Sequence, residues 1–233
     1  MDNRFSAPTT YFLSEGRDNL RECLAIAFEA AKQHNIDKIV IFTAEGEGIR
    51  LALEEFSLSP RYDKMKLVGV TFPNGKHFTD ATGKPLLVEI PRELERHFKS
   101  LDIPIIRAHL PFDPIAPPFH DRGVLAQDLS LVGEALNMFC GSMSLCVQAI
   151  VLACDAGAVA LGEHVIALTS DTAILAQATC TRMMLSDLII REILCKPAVF
   201  TIGRQETSKR LIEVPVSHPP KVITSGKSEE LDE

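Results

Sequence analysis

The sequence of 233 residues predicts an α/β fold: a three-layer α/β/α sandwich built on a mostly parallel, mixed sheet. Short apolar runs rich in β-branched residues recur along the chain, and such runs are typical of strands that are covered on both faces. Between them, apolar residues repeat at spacings of three and four, which indicates helices with one buried stripe. Strands that alternate with helices imply parallel pairing with right-handed crossovers, so we expect a single domain over residues 1–218.

The first half of the chain shows this alternation most clearly. Helices are expected at 19–34, 49–56 and 91–101, and strands at 38–42, 66–72 and 103–107. The stretch 73–85 is rich in Asn, Gly, His and Thr, and we expect it to be a loop or a small excursion from the sheet.

The second half begins with a break in the pattern at 108–123. Four prolines there (Pro111, Pro114, Pro117 and Pro118) exclude a continuous helix or a central strand. Two interpretations have equal weight: the segment is a lid or partner surface, or it is a meandering cover over one edge of the sheet.

Beyond this loop, helices are expected at 125–139 and 145–156, followed by a strand at 164–168 and a shorter strand at 174–178. Only a tight turn can join these two strands, so we expect them to be antiparallel at an edge of the sheet. A short helix over 187–194 ends the predicted domain. The charged segment 219–233 has little to bury and is expected to be disordered.

Composition excludes several classes of partner. The net charge of −7 argues against a general nucleic-acid surface and against anionic membranes, both of which require clustered Lys and Arg. No signal peptide is visible, and the longest apolar run, Cys146 to Cys154, is far too short to span a bilayer. The six cysteines include no C-x-x-C pair and lie in apolar surroundings, which is typical of buried free thiols in a reducing compartment. We therefore expect a cytoplasmic protein.

The first candidate site is the turn that follows the strand at 38–42. It reads Thr-Ala-Glu-Gly-Glu-Gly from Thr43 to Gly48 and leads directly into a helix. Glycines in such a turn free backbone N–H groups at a helix start, where phosphate is the usual ligand. Glu45 and Glu47 would repel an anion, however, and the turn has an equally weighted structural interpretation as a tight helix start.

The second candidate site is the turn Thr169-Ser170-Asp171-Thr172, which follows the strand at 164–168. Hydroxyls and a carboxylate at a strand end suit a ligand or a metal, but these are also ordinary turn residues. In open α/β sheets, ligands lie at the carboxyl ends of the strands where the strand order reverses. Thr43 and the second turn are therefore candidates for two walls of one cleft.

No catalytic residue is identified. The histidines lie without metal-ligand spacing, so no metal site is predicted, and His120-Asp121 with Asp113 are the one grouping of histidine and acid. Cys140, beside Gly141 and Ser142, is a minor candidate for a thiol nucleophile.

Several segments resemble the pyruvate kinase alpha/beta domain-like family, a group of stand-alone proteins similar to the carboxyl-terminal domain of pyruvate kinase. The matching segments are Tyr11–Gly16, Lys38–Thr43, Gly133–Phe139, Val147–Gly157, Glu163–Leu168 and Asp187–Pro197. The resemblance implies a single α/β/α domain of the pyruvate kinase C-terminal type and, by analogy with the subunit contacts of that domain, a homo-oligomer.

The resemblance also implies a ligand, because some members of that family hold flavin mononucleotide (FMN). Carried over, it would place a phosphate-bearing ligand near Thr43, Gly46, Gly48, Thr169 and Ser170. The leading hypothesis is thus a protein that binds a nucleotide or a phosphorylated small molecule. The alternatives are a flavin-dependent enzyme of unknown substrate and a regulatory or scaffold module without a small ligand.

Overall fold

The computed structural model describes residues 6–57, 59–62, 64–79, 82–113 and 126–198. The larger of its two sheets has seven strands in the order β1-β9-β8-β7-β2-β3-β6. These strands are β1 (Thr10–Phe12), β2 (Lys38–Phe42), β3 (Lys66–Thr71), β6 (Ile105–Arg107), β7 (His164–Leu168), β8 (Ala173–Gln177) and β9 (Ile189–Pro197). All neighbours are parallel except β7 with β8 and β8 with β9, so the predicted mixed, mostly parallel sheet is confirmed.

The helices are α1 (Leu20–His34), α2 (Glu47–Ala52), α3 (Arg92–Ser100), α4 (Ala126–Asn137), α5 (Met143–Asp155) and the short α6 (Met184–Asp187). A π-helical stretch, Leu53–Ser57, continues α2. The expected helices at 19–34, 91–101, 125–139 and 145–156 are confirmed to within a few residues. α1 ends at His34, and the left-handed backbone of the next residue, Asn35 (φ 52°), allows its N–H to bond back to the last turn.

Two apolar cores, one on each face of the sheet, establish the three layers. On β2, Ile39 and Ile41 point into the core beneath α1 and α2, whereas Val40 and Phe42 point into the core beneath α5. This alternation with both faces buried explains why the strand is continuously apolar from Ile39 to Phe42, after Lys38 at its start.

The excursion at 73–85 contains part of a small second sheet. β4 (His77–Thr79) pairs antiparallel with β5 (Pro85–Leu87). The chain then returns through α3 to β6.

One prediction is wrong: residues 187–194 do not form a terminal helix. Ile189–Pro197 is β9, which pairs with β8 on one side and with β1 on the other, so β8 is not an edge strand either. The register between β8 and β9 shifts at two places, so the alternation along β9 is broken. The isoleucines and leucine at 189, 190, 193 and 194 therefore have the spacing of a helix although they lie in a strand. Their composition indicated a strand instead, because β-branched residues favour strands.

Some predictions fall outside the described residues. These are the part of the proline-rich loop at 114–123 and the segment 219–233. None of the described helices combines the length and the apolar character that a bilayer span requires.

Candidate site at the carboxyl edge of the sheet

The two predicted turns lie next to each other. β2 and β7 are parallel neighbours, with Ile41 opposite Leu168, so Thr43 and Thr169 follow the same edge of the sheet. From β2 the chain proceeds through β3 to β6 on one side, whereas β7 leads to β8 and β9 on the other. The strand order therefore reverses between β2 and β7, which is where ligands bind in open α/β sheets.

The first turn already surrounds an acidic group that belongs to the chain. The Glu47 carboxylate accepts a hydrogen bond from the Thr43 hydroxyl (2.9 Å) and another from the backbone N–H of Glu45 (3.0 Å). The same Thr43 oxygen accepts a hydrogen bond from the N–H of Gly46 at 3.0 Å. Two of these three donors, the Thr43 hydroxyl and the Glu45 N–H, thus converge on Glu47 Oε2, an arrangement that suits an anion.

The two glycines of this turn are explained by packing. Gly46 has a left-handed backbone (φ 88°), and a Cβ there would lie 2.8 Å from Leu94 Cδ2 on α3. A Cβ on Gly48 would lie 2.8 Å from Ile41 Cγ2 on β2. These glycines let the turn fit between β2 and α3, so close approach of a ligand is not needed to account for them.

The second turn is closed around Asp171, which is 3% exposed. Its carboxylate accepts hydrogen bonds from the hydroxyls of Thr172 (3.0 Å) and Thr169 (3.4 Å) and from the N–H of Gly16 (2.7 Å). Thr169 is therefore engaged within the protein. Ser170 is half-buried, and its hydroxyl makes no hydrogen bond to any residue that the structure describes.

A segment between β1 and α1 crosses both turns, and we call residues 14–19 the strap. Gly16 donates to Asp171 in the second turn, and Arg17 Nη1 lies 3.2 Å from Glu45 in the first. Arg17 Nε is 4.0 Å from Glu47. The Arg17 side chain is 63% exposed, so its ion pairs contribute little stability but offset part of the negative charge that Glu45 and Glu47 bring to the edge.

A basic residue that the sequence analysis did not select lies at the same edge. Arg107 ends β6 opposite Thr71, two strands from β2 and about 10 Å across the sheet. Its Nη2 lies 3.4 Å from Glu95, whereas its Nη1 is buried and has no hydrogen-bond partner among the described residues. In the sequence, Arg107 is marked only by its position as a single arginine at the end of an apolar strand. An unpaired buried guanidinium nitrogen is costly, and an oxyanion would satisfy it.

Buried thiols surround the second turn. Cys23 donates to the carbonyl of Thr169, and Cys146 donates to that of Thr172, each at 3.6 Å. Burial raises the pKa of both thiols well above the ordinary value, and for Cys23 the neighbouring Cys195, with its sulfur 3.5 Å away, adds to the rise.

Cys140 does not have the surroundings of a nucleophile. Its side chain is buried, its sulfur lies 3.3 Å from the Thr172 hydroxyl, and burial raises its pKa. Of the other grouping, His120 and Asp121 lie outside the described residues, and the Asp113 carboxylate is 3.2 Å from Lys76 Nζ. Over the described ranges, no three His, Cys, Asp or Glu side chains are placed to hold a metal ion.

The comparisons with known proteins yield a distant similarity of fold. No protein-family model matches the chain, so membership of the family it resembles stays a prediction. Two solved structures of Cryptosporidium parvum pyruvate kinase, one of them in complex with ADP, are each 13% identical to it, with TM-scores of 0.32 and 0.30. They match 71% and 76% of this chain but 24% and 23% of their own, so the chain spans about a quarter of their length.

Proposed function

We propose that the carboxyl edge of the sheet, at the junction of β2 and β7, binds a phosphorylated small molecule or a nucleotide, with FMN as the first candidate. The observation that carries this proposal is the convergence of the Thr43 hydroxyl and the Glu45 N–H on an oxygen of Glu47. A phosphate oxygen can take the same two hydrogen bonds once the carboxylate swings away. The Ser170 hydroxyl, which makes no hydrogen bond to a described residue, lies on the neighbouring turn.

Arg107 supports an anionic ligand at this edge. Of the Arg107 side chain, 17% is exposed, but Nη1, the nitrogen without a partner among the described residues, is itself buried, so an anion would reach it only after the side chain turns outward. A ligand of nucleotide size is long enough to extend from the β2–β7 junction toward it.

Glu47 then acts as a built-in competitor of the ligand. Glu47→Gln removes the charge but leaves an oxygen that can hold the turn, whereas Glu47→Ala also vacates the position. Removing a repulsion of about 1 kcal/mol should tighten a phosphorylated ligand about fivefold in Glu47→Gln, and Glu47→Ala should tighten it further.

The experiment titrates FMN, riboflavin and a sugar phosphate into the wild type and both variants by calorimetry. Riboflavin is the matched ligand without phosphate, and Glu54→Gln is the matched variant, because Glu54 is 52% exposed and pairs with Arg50 outside the turn. We expect FMN to bind more tightly than riboflavin. The two Glu47 variants should change this difference in affinity, whereas Glu54→Gln should not. If none of the proteins binds FMN or the sugar phosphate, the phosphate site is wrong.

That negative result would favour a regulatory or scaffold module without a small ligand. A specific observation supports this second candidate: the Glu47 carboxylate already accepts from the Thr43 hydroxyl and the Glu45 N–H, and the Asp171 carboxylate accepts from the hydroxyls of the second turn and from Gly16 of the strap. On this alternative, Glu47→Ala destabilises the protein and creates no ligand affinity.

A further inference from the structure

A groove of about 570 Å³ lies away from the two turns, between the outer face of α1, the amino-terminal segment 6–10 and β9. Its volume is in the range of small-molecule sites. Ala25, Ile26, Ala30 and Leu194 give it an apolar wall. None of its lining residues belongs to the turns of the proposed phosphate site, so the groove is a separate feature.

The polar end of the groove is negatively charged. Glu192 projects from β9, its side chain is 13% exposed, and its carboxylate lies 3.4 Å from His34 Nε2. His34 is the last residue of α1, where the helix dipole already adds partial negative charge. An imidazole neutralises a carboxylate only while it is protonated, so this end lacks a permanent counter-ion.

The other charges nearby do not supply one. Glu29 also lines the groove and is ion-paired with Arg61. Neither lysine nor arginine is among the described lining residues. The groove thus combines an apolar wall with the Glu192 carboxylate, whose partner is an imidazole and not a permanent cation. This combination is complementary to a cation on a hydrocarbon chain.

We propose that this groove binds a small aliphatic amine, with the ammonium group on the Glu192 carboxylate and the hydrocarbon chain along Ile26, Ala30 and Leu194. The ammonium donates the charge-assisted hydrogen bond that the imidazole of His34 supplies in its absence. The hydrocarbon contributes through burial of apolar area. The site is independent of the proposed phosphate site and survives if that proposal fails.

The experiment follows backbone amide shifts of the full, isotope-labelled chain as n-hexylamine, n-hexanol or hexanoate is added. The three probes share the hydrocarbon and differ in charge. We expect shifts at Gln33, His34 and Glu192, with the amine binding about tenfold more tightly than the alcohol because only the amine places a positive charge opposite the carboxylate. Equal binding of amine and alcohol, or stronger binding of hexanoate, overturns the proposal.

Two variants and a control test the role of the carboxylate. Glu192→Gln should remove the preference for amine over alcohol, whereas Glu93→Gln, an exposed acid in the first turn of α3, should leave it unchanged. His34→Gln removes the competing imidazole and should tighten the amine several-fold, which keeps the test decisive if Glu192→Gln does not fold. Weaker amine binding in His34→Gln contradicts the proposal.

Discussion

Replacing Gly46 with alanine tests whether this glycine is required by packing. The backbone is left-handed at φ 88°, which costs about 1–2 kcal/mol for a residue with a Cβ. The new methyl would lie 2.8 Å from Leu94 Cδ2 and 3.2 Å from both Ile90 Cγ2 and Phe98 Cε2. Overpacking of this kind costs about 1–3 kcal/mol, so Gly46→Ala should lower the free energy of unfolding by about 2–5 kcal/mol.

Gly75→Ala is the matched control. Gly75 is also left-handed, at φ 72°, but a Cβ there would have no atom within 4 Å. The Gly75→Ala variant should lose about 1–2 kcal/mol of the free energy of unfolding. Alanine also makes the unfolded chain stiffer, but that stabilising effect is common to both variants. In urea unfolding, the midpoint of Gly46→Ala should fall below that of Gly75→Ala by about 0.5–1.5 M, for an m-value of about 2 kcal/mol/M.

A double variant locates the cause. If the clash with α3 is real, Gly46→Ala combined with Leu94→Ala should lose less stability than the sum of the two single changes. Equal midpoints for Gly46→Ala and Gly75→Ala, or strict additivity with Leu94→Ala, would refute the packing argument. The role of Gly46 would then be to free backbone N–H groups for a ligand, as the sequence predicts for the glycines of this turn.

The other predictions concern the second turn and the thiols around it. Asp171→Asn should lower the free energy of unfolding by about 1–3 kcal/mol, because a buried acceptor of three hydrogen bonds is exchanged for an amide that is partly a donor. Hydrogen exchange of the Gly16 amide should become faster in this variant. An unchanged exchange rate at Gly16 would show that the strap does not depend on its contact with Asp171. Burial raises the pKa of Cys23 and Cys146 above the ordinary value of 9.0, so on raising the pH these thiols ionise in the unfolded chain before they ionise in the folded protein. Their contribution to the free energy of unfolding is therefore complete below about pH 9 and is lost as the pH rises above it. Between about pH 7 and pH 10 the urea midpoint of the wild type should therefore fall further than that of a Cys23→Ala, Cys146→Ala variant, and equal falls would contradict this pH dependence.

The sequence predicted where the two turns of the candidate site lie in the sheet but not the contacts that their residues make. Thr43 and Thr169 were expected to be close because parallel strands bring their carboxyl ends to one edge, and β2 and β7 are indeed paired. Contacts from distant segments were not predictable. Gly16 reaches Asp171 across 155 residues of sequence, and Gly46 is constrained by Leu94 on a separate helix. Neither contact leaves a periodic trace in the sequence.

The strand at 189–197 shows a second limit. Periodicity identifies a strand by its alternation, and the irregular register between β8 and β9 removes that alternation from Ile189 to Leu194. The composition of the segment, rich in isoleucine, pointed to a strand and was the better guide. Arg107 was missed for a different reason, since a single arginine at a strand end has no distinctive spacing.

The pairing of β1 with β9 has a consequence for the order in which the chain can fold. Thr10 lies opposite Cys195, so the first described strand completes the sheet edge only after the last one is in place. During synthesis, residues 10–12 leave the ribosome long before their partner exists, and closing so large a loop is slow. The amino-terminal strand and the strap behind it should therefore be the last elements to dock, and the edge of β9 stays open to another chain until they do.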